Sequence, residues 1–175
     1  LKGNTLGIFG LGKQGLHVAG YAKAFGMKVI AWSHNLKQED CEKLGVEYVS
    51  SNDLFKMSDI LTIHTRLSDR TMGYIDKKKI NLMKKGSVIV NTSRGPIIKE
   101  QDLIDALNND VISCAALDVY DQEPLPKDHI LRKTKNLILT PHIGYVSEEA
   151  YEKFFNGYLK AITAFINKNP INQIS

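Results

Sequence analysis

The sequence predicts an α/β fold, a parallel β-sheet covered by helices on both faces. Three observations predict it. Short β-rich runs alternate along the chain with amphipathic helical stretches. Most of those runs are nearly all apolar, as strands buried on both faces are, instead of alternating apolar with polar. The 175 residues, 43% hydrophobic and 24% charged, suit one ordinary domain with a real core.

The strand candidates, in order, are Leu6 to Phe9, Val29 to Trp32, Glu47 to Val49, Ile60 to His64, Val88 to Asn91, Cys114 to Leu117 and Leu137 to Leu139. Gln14 to Phe25 reads as a helix closed by Gly26, and Gln101 to Asn108 as another in which Leu103, Ile104 and Leu107 share a face. The connections between elements look short. From Ser147 onward the pattern becomes one long helix, in which Tyr151, Phe154, Phe155, Tyr158, Leu159, Ile162, Phe165 and Ile166 recur at i, i+3, i+4 spacing. Ser147 suits the N-cap, and Glu148 and Glu149 complement the dipole of the first turn. Such a stripe is expected to be a packing face.

Bulk properties exclude several classes. The net charge of +4 comes from lysines scattered among acids, with Lys77, Lys78 and Lys79 the only tight run, so no nucleic-acid partner is expected. No apolar run approaches the roughly 20 residues that span a bilayer, and no signal-peptide pattern opens the chain, so no membrane partner is expected either. Cys41, in a polar helical stretch, and Cys114, in a strand-like run, are isolated thiols that suit a reducing compartment and hold no metal. A cytoplasmic protein is expected. The chain opens on Leu1 and reaches a strand within a few residues, so it is expected to be part of something longer.

The first strand runs directly into Gly10-Leu11-Gly12-Lys13-Gln14-Gly15 and then into a helix. Gly10 permits a tight turn, Gly12 lets the backbone come close to a pyrophosphate, and Gly15 lets helix and strand pack closely. The free N–H groups at the helix start, around Lys13 and Gln14, and its positive dipole end face the phosphates. This strand-turn-helix context predicts a Rossmann-type doubly wound parallel sheet: a single dinucleotide-binding domain over residues 1–146, followed by a C-terminal helix and tail over 147–175. About 20 residues past the turn, NAD sites carry an acid for the ribose 2′-hydroxyl. Here that place reads Ser33-His34-Asn35. Without a carboxylate a 2′-phosphate is not repelled, and Ser33, Asn35 and Lys37 offer donors to one; equally, Ser33 can hold the ribose of NAD. Both NAD and NADP stay open.

Three later strand ends carry polar residues, where open α/β sheets bind ligands. They are Asn91-Thr92-Ser93-Arg94-Gly95-Pro96, Leu117-Asp118-Val119-Tyr120-Asp121-Gln122-Glu123-Pro124 and Thr140-Pro141-His142-Ile143-Gly144. With the glycine turn and Phe25-Gly26-Met27, these segments closely resemble the D-isomer-specific 2-hydroxyacid dehydrogenases, over nearly the whole chain. The resemblance implies that Arg94 holds a substrate's carboxylate and carbonyl oxygen, that His142 is the acid/base, and that Glu123 pairs with it. It implies further that Asp118 positions the nicotinamide carboxamide, with Thr92 and Ser93 also at the cofactor. A carboxylate at 123, where formate dehydrogenases of similar fold use an amide, argues for oxo-acid reduction.

The chemistry suits those residue types. Reducing a 2-oxo acid takes a hydride on carbon and a proton on oxygen, which imidazolium readily supplies near neutral pH. A neighbouring carboxylate favours the charged imidazole and fixes its tautomer. A guanidinium grips a planar carboxylate through two parallel hydrogen bonds. The expected substrate is a small 2-oxo acid or D-2-hydroxy acid, such as glyoxylate, hydroxypyruvate or a phosphoglycerate relative. The resemblance also implies a substrate domain absent from this chain, toward which 147–175 would pack, and a homodimer. The alternative is an NAD(H)-sensing interaction protein, because a transcriptional corepressor group shares this fold and these motifs.

Overall fold

A computed structural model describes residues 1–173; the last two residues of the expected 147–175 segment lie outside the described residues. Seven strands form: β1 (Thr5–Phe9), β2 (Lys28–Trp32), β3 (Glu47–Tyr48), β4 (Ile60–Ile63), β5 (Val88–Asn91), β6 (Cys114–Leu117) and β7 (Leu137–Leu139). All pair in parallel, in the order β3-β2-β1-β4-β5-β6-β7. The order reverses between β1 and β4, which makes the C-terminal ends of those two strands the switch point at which such sheets bind ligands.

Helices α1 (Lys13–Ala24), α2 (Gln38–Lys43), α3 (Ser51–Met57), α4 (Lys77–Ile80) and α5 (Glu100–Asn108) join the strands. They sort the core into two layers. Leu6, Ile8, Val29 and Ala31 face α1 and α2 in a cluster with Ala19, Ala22, Cys41 and Val46. Phe9, Ile30, Leu61, Ile63 and Ile89 point the other way, into a larger cluster with Leu54, Phe55, Leu103 and Leu107. The apolar strand runs are thus buried on both faces, each such side chain contributing about 1.5–3 kcal/mol. Gly26 closes the first helix in the left-handed region, at φ 72°.

Asp59 pins the lower edge, accepting from Thr5 N–H and from Lys84 Nζ, each at 2.7 Å. The strand ends expected at Val49 and His64 stop one residue earlier, at Tyr48 and Ile63. The expectation of short connections fails twice: residues 64–76 and 118–129 are long, and both pass along the ligand edge.

The chain divides into two compact units, the first ending at His142 and the second beginning at Ile143. The second unit contains α6 (Glu148–Ile166), whose N-cap Ser147 accepts from Ala150 N–H at 3.2 Å. Its aromatic stripe is exposed, from 44% at Tyr151 to 74% at Phe165. Among the described residues no helix is long and apolar enough to cross a membrane.

Candidate active site

The glycine turn follows β1 at the switch point. Gly10 lies at φ 104°, and a Cβ on it would stand 2.6 Å from Thr65 N and 2.8 Å from His64 C. Only glycine allows the turn to press against the residues that leave β4. A Cβ on Gly15 would stand 2.4 Å from Gly10 O, so its absence is what lets α1 start against β1. Gly12 is different: a Cβ there meets nothing within 4 Å. It caps α1 without a side-chain hydrogen bond, and Lys13 and Gln14 beside it are exposed. The helix start therefore offers bare N–H groups and an open approach, a cradle that fits a pyrophosphate. Gly10 N–H donates to Trp32 O at 3.0 Å, which sets the end of β2, with Ser33, His34 and Asn35, beside this turn.

On the other side of the switch point, hydrogen bonds carry the parallel pairing past the strand ends. Asp118 N–H donates to Asn91 O and Thr140 N–H to Leu117 O, both at 3.0 Å. Asn91 shapes the next turn, its amide donating to Arg94 O at 2.9 Å and its side-chain oxygen accepting from Ser93 N–H at 3.0 Å. The Ser93 hydroxyl donates to Thr65 O, which ties this turn to the connection that leaves β4. A Cβ on Gly95 would stand 2.1 Å from the Tyr120 carbonyl carbon, so glycine is needed where the turns after β5 and β6 meet. Asp118 is buried, accepts from the Thr140 hydroxyl, and lines a small hollow with Thr92 and Thr140.

Glu123 and His142, from separate connections, meet directly. His142 Nδ1 lies 2.6 Å from Glu123 Oε2, while Glu123 Oε1 accepts from Tyr120 N–H at 2.9 Å. Partial burial of Glu123 works against its ionisation, but the His142 hydrogen bond, the Tyr120 N–H and the charges of His142 and Arg94 together hold its carboxyl below the usual range. His142 sits at φ 55°, in the left-handed region that costs a non-glycine residue about 1–2 kcal/mol. The pair borders a cavity of about 480 Å³ that is also lined by Leu125, Leu139 and Pro141.

Arg94 is exposed, with Nη1 turned back onto Ser93 O at 2.6 Å. The structure thus brings Glu123 and His142 into contact and leaves Arg94 acting on Glu123 through space. Two residues at this edge escaped sequence reasoning. Tyr120 donates its hydroxyl to Thr140 O at 2.6 Å and so fastens the connection bearing Glu123 to the end of β7. Burial, with the Asp118 charge adding, pushes its phenol up, so it stays a donor. The available signal was a buried-type aromatic three residues before an acid. Arg70 reaches Asn35, and no local pattern marks it. His64 has a partner within its own segment: its Nε2 lies 2.9 Å from the Thr62 hydroxyl, and burial lowers its pKa.

Residues 1–144 match the family described as D-isomer specific 2-hydroxyacid dehydrogenase, NAD binding domain. The chain belongs to this family. Among similar D-2-hydroxyacid dehydrogenases, the glyoxylate reductase of Aeropyrum pernix is 45% identical over 149 residues, which cover 85% of this chain and 44% of that protein. The hydroxypyruvate reductase of Blautia hydrogenotrophica is 37% identical over 175 residues, covering 100% of this chain and 54% of the relative. Among solved structures, the D-lactate dehydrogenase of Aquifex aeolicus complexed with NAD and lactic acid superposes with a TM-score of 0.84 at 30% identity, over 98% of this chain and 58% of that one. The chain spans about half the length of the curated relatives it matches.

Proposed function

We propose that this chain is the cofactor-binding half of a D-2-hydroxyacid dehydrogenase that reduces a small 2-oxo acid, with glyoxylate and hydroxypyruvate the leading substrates. The observation that carries the reading is the His142–Glu123 pair, 2.6 Å apart, on the same sheet edge as the open glycine cradle. Gly10, Gly12 and Gly15, with the N–H groups at Lys13 and Gln14, would hold the pyrophosphate. Ser33, His34 and Asn35 would hold the ribose, and Thr92, Ser93 and Asp118 the nicotinamide end. When bound, the reduced nicotinamide supplies a hydride to the substrate's carbonyl carbon.

The chain's own residues supply the rest. His142 gives its proton to the carbonyl oxygen as that oxygen gains charge, which completes a 2-hydroxy acid. Glu123 receives the Nδ1 side of the ring, so the proton given to the substrate is the one carried by Nε2; the Tyr120 N–H keeps the carboxylate oriented. Arg94, swinging off Ser93 O, would grip the substrate carboxylate through two hydrogen bonds and polarise its carbonyl. The test is reduction of glyoxylate, hydroxypyruvate and a phosphorylated analogue by the complete protein. His142→Ala is expected to lower kcat by about a hundred- to ten-thousand-fold with little change in dinucleotide affinity. Unchanged turnover in that variant would remove the assignment.

A further inference from the structure

Resting on the dinucleotide reading above, we propose that Arg70 forms a recognition site for the 2′-phosphate of a dinucleotide, so that the protein prefers NADP(H) to NAD(H). The end of β2 reads Ser33-His34-Asn35 and presents no carboxylate to repel a phosphate there. A cation from elsewhere in the chain reaches that place instead. Arg70, in the connection after β4, sets Nη1 3.5 Å from Asn35 Oδ1. Its charge is also felt by His34, whose pKa is lowered by burial first and by Arg70 second.

Asn35 is a neutral amide, so this contact leaves the guanidinium charge uncompensated. Among the described residues no carboxylate pairs with Arg70. An exposed guanidinium with no acid partner, beside the Asn35 amide, supplies the planar set of donors that phosphate oxygens accept.

The arginine is held in place by its own turn. Thr71, buried next to it, donates its hydroxyl to Arg66 O at 2.7 Å and accepts from Ser68 N–H at 2.8 Å. Tyr74, at the end of the same segment, stacks on Trp32 with ring centroids 5.4 Å apart and planes 18° from parallel. The turn bearing Arg70 is therefore joined to the last residue of β2, which is itself bonded to Gly10 in the cradle. The pyrophosphate cradle and the guanidinium stand on adjoining strand ends.

Trp32 is the only tryptophan and directly precedes Ser33, so its fluorescence reports dinucleotide binding without requiring turnover. NADPH and NADH are titrated into the protein at low salt. The parent is expected to bind NADPH about ten- to a hundred-fold tighter than NADH, the range that one charge-assisted phosphate contact supplies. Arg70→Gln should remove that difference and leave NADH affinity unchanged, and the retained NADH binding also certifies the fold. Arg70→Lys, which keeps the charge and loses the fork, should recover part of the preference. Parent protein that binds NADH as tightly as NADPH, or a variant that loses affinity for both equally, overturns the proposal and leaves dinucleotide binding intact. If neither dinucleotide binds, the underlying reading fails, and this one with it.

Discussion

His142 carries a backbone penalty that its neighbours must offset. Its left-handed conformation aims the ring at Glu123, and the 2.6 Å contact and the surrounding hydrogen bonds supply the compensation. The three glycines of the cradle divide by what a methyl group would strike. Gly10 and Gly15 are packing residues, pressed against Thr65 and against Gly10 O, whereas Gly12 faces open space at an ordinary negative φ. Gly12→Ala is therefore expected to leave stability within about 0.5 kcal/mol of the parent, or slightly above it, because no contact is strained. The same methyl group stands where the pyrophosphate must approach, so dinucleotide affinity should fall at least about ten-fold. Thermal melting and fluorescence titration of one variant check both halves. Loss of stability together with binding would show that Gly12 is structural.

At the scale of elements, the ligand edge is assembled by connections that bond to one another and not only to the sheet. Tyr120 ties the turn after β6 to the end of β7, Ser93 ties the turn after β5 to the connection leaving β4, and Gly95 lets two turns touch. The opposite edge depends on Asp59, which links the starts of β1 and β4 to Lys84. Burial opposes its ionisation, but the Lys84 and Thr5 hydrogen bonds and the Lys84 charge outweigh that and hold its pKa below the ordinary value. A folded-state pKa below the unfolded one means that the unfolded chain binds more protons in that window, so stability there rises with pH. Its contribution is present above the ordinary carboxylate value of about 3.9 and is lost as pH falls through the depressed one. Asp59→Ala should cost about 2 kcal/mol at pH 7, with the gap to the parent closing below pH about 4. Urea denaturation of both proteins across that range measures it; a gap independent of pH would mean that the carboxylate's charge is not what matters.

At the scale of the whole molecule, the chain matches about half the length of its curated relatives, and a reaction that needs water excluded and two reactants oriented depends on both walls of a cleft. The 175-residue chain alone is expected to bind dinucleotide, yet to reduce glyoxylate at least about a hundred-fold more slowly than a complete enzyme of the family. Loss of reduced-nicotinamide absorbance on adding glyoxylate checks this, and turnover at the complete enzyme's rate would sink it. The uncovered stripe on α6 belongs to the same scale: Phe155, Tyr158, Leu159 and Phe165 are each more than half exposed, which isolated soluble surfaces rarely sustain over such a length.

Much of this was legible in the residues themselves. Apolar runs set four of the seven strands to within one residue and three without error, the glycine spacing announced the turn after β1, and polar clusters marked the ends of β5, β6 and β7. Such features are encoded locally, because burial on both faces, left-handed turns and helix starts each demand particular residues at short range. Contacts between distant segments are not. The pairing of Glu123 with His142 was implied by the family resemblance alone; that Tyr120 would brace them, that Gly95 would lie under the Tyr120 carbonyl, and that Arg70 would reach Asn35 all depend on strand order and on the paths of two long connections. No local period records those paths; they follow from which strands lie side by side, and packing of the assembled chain alone decides that.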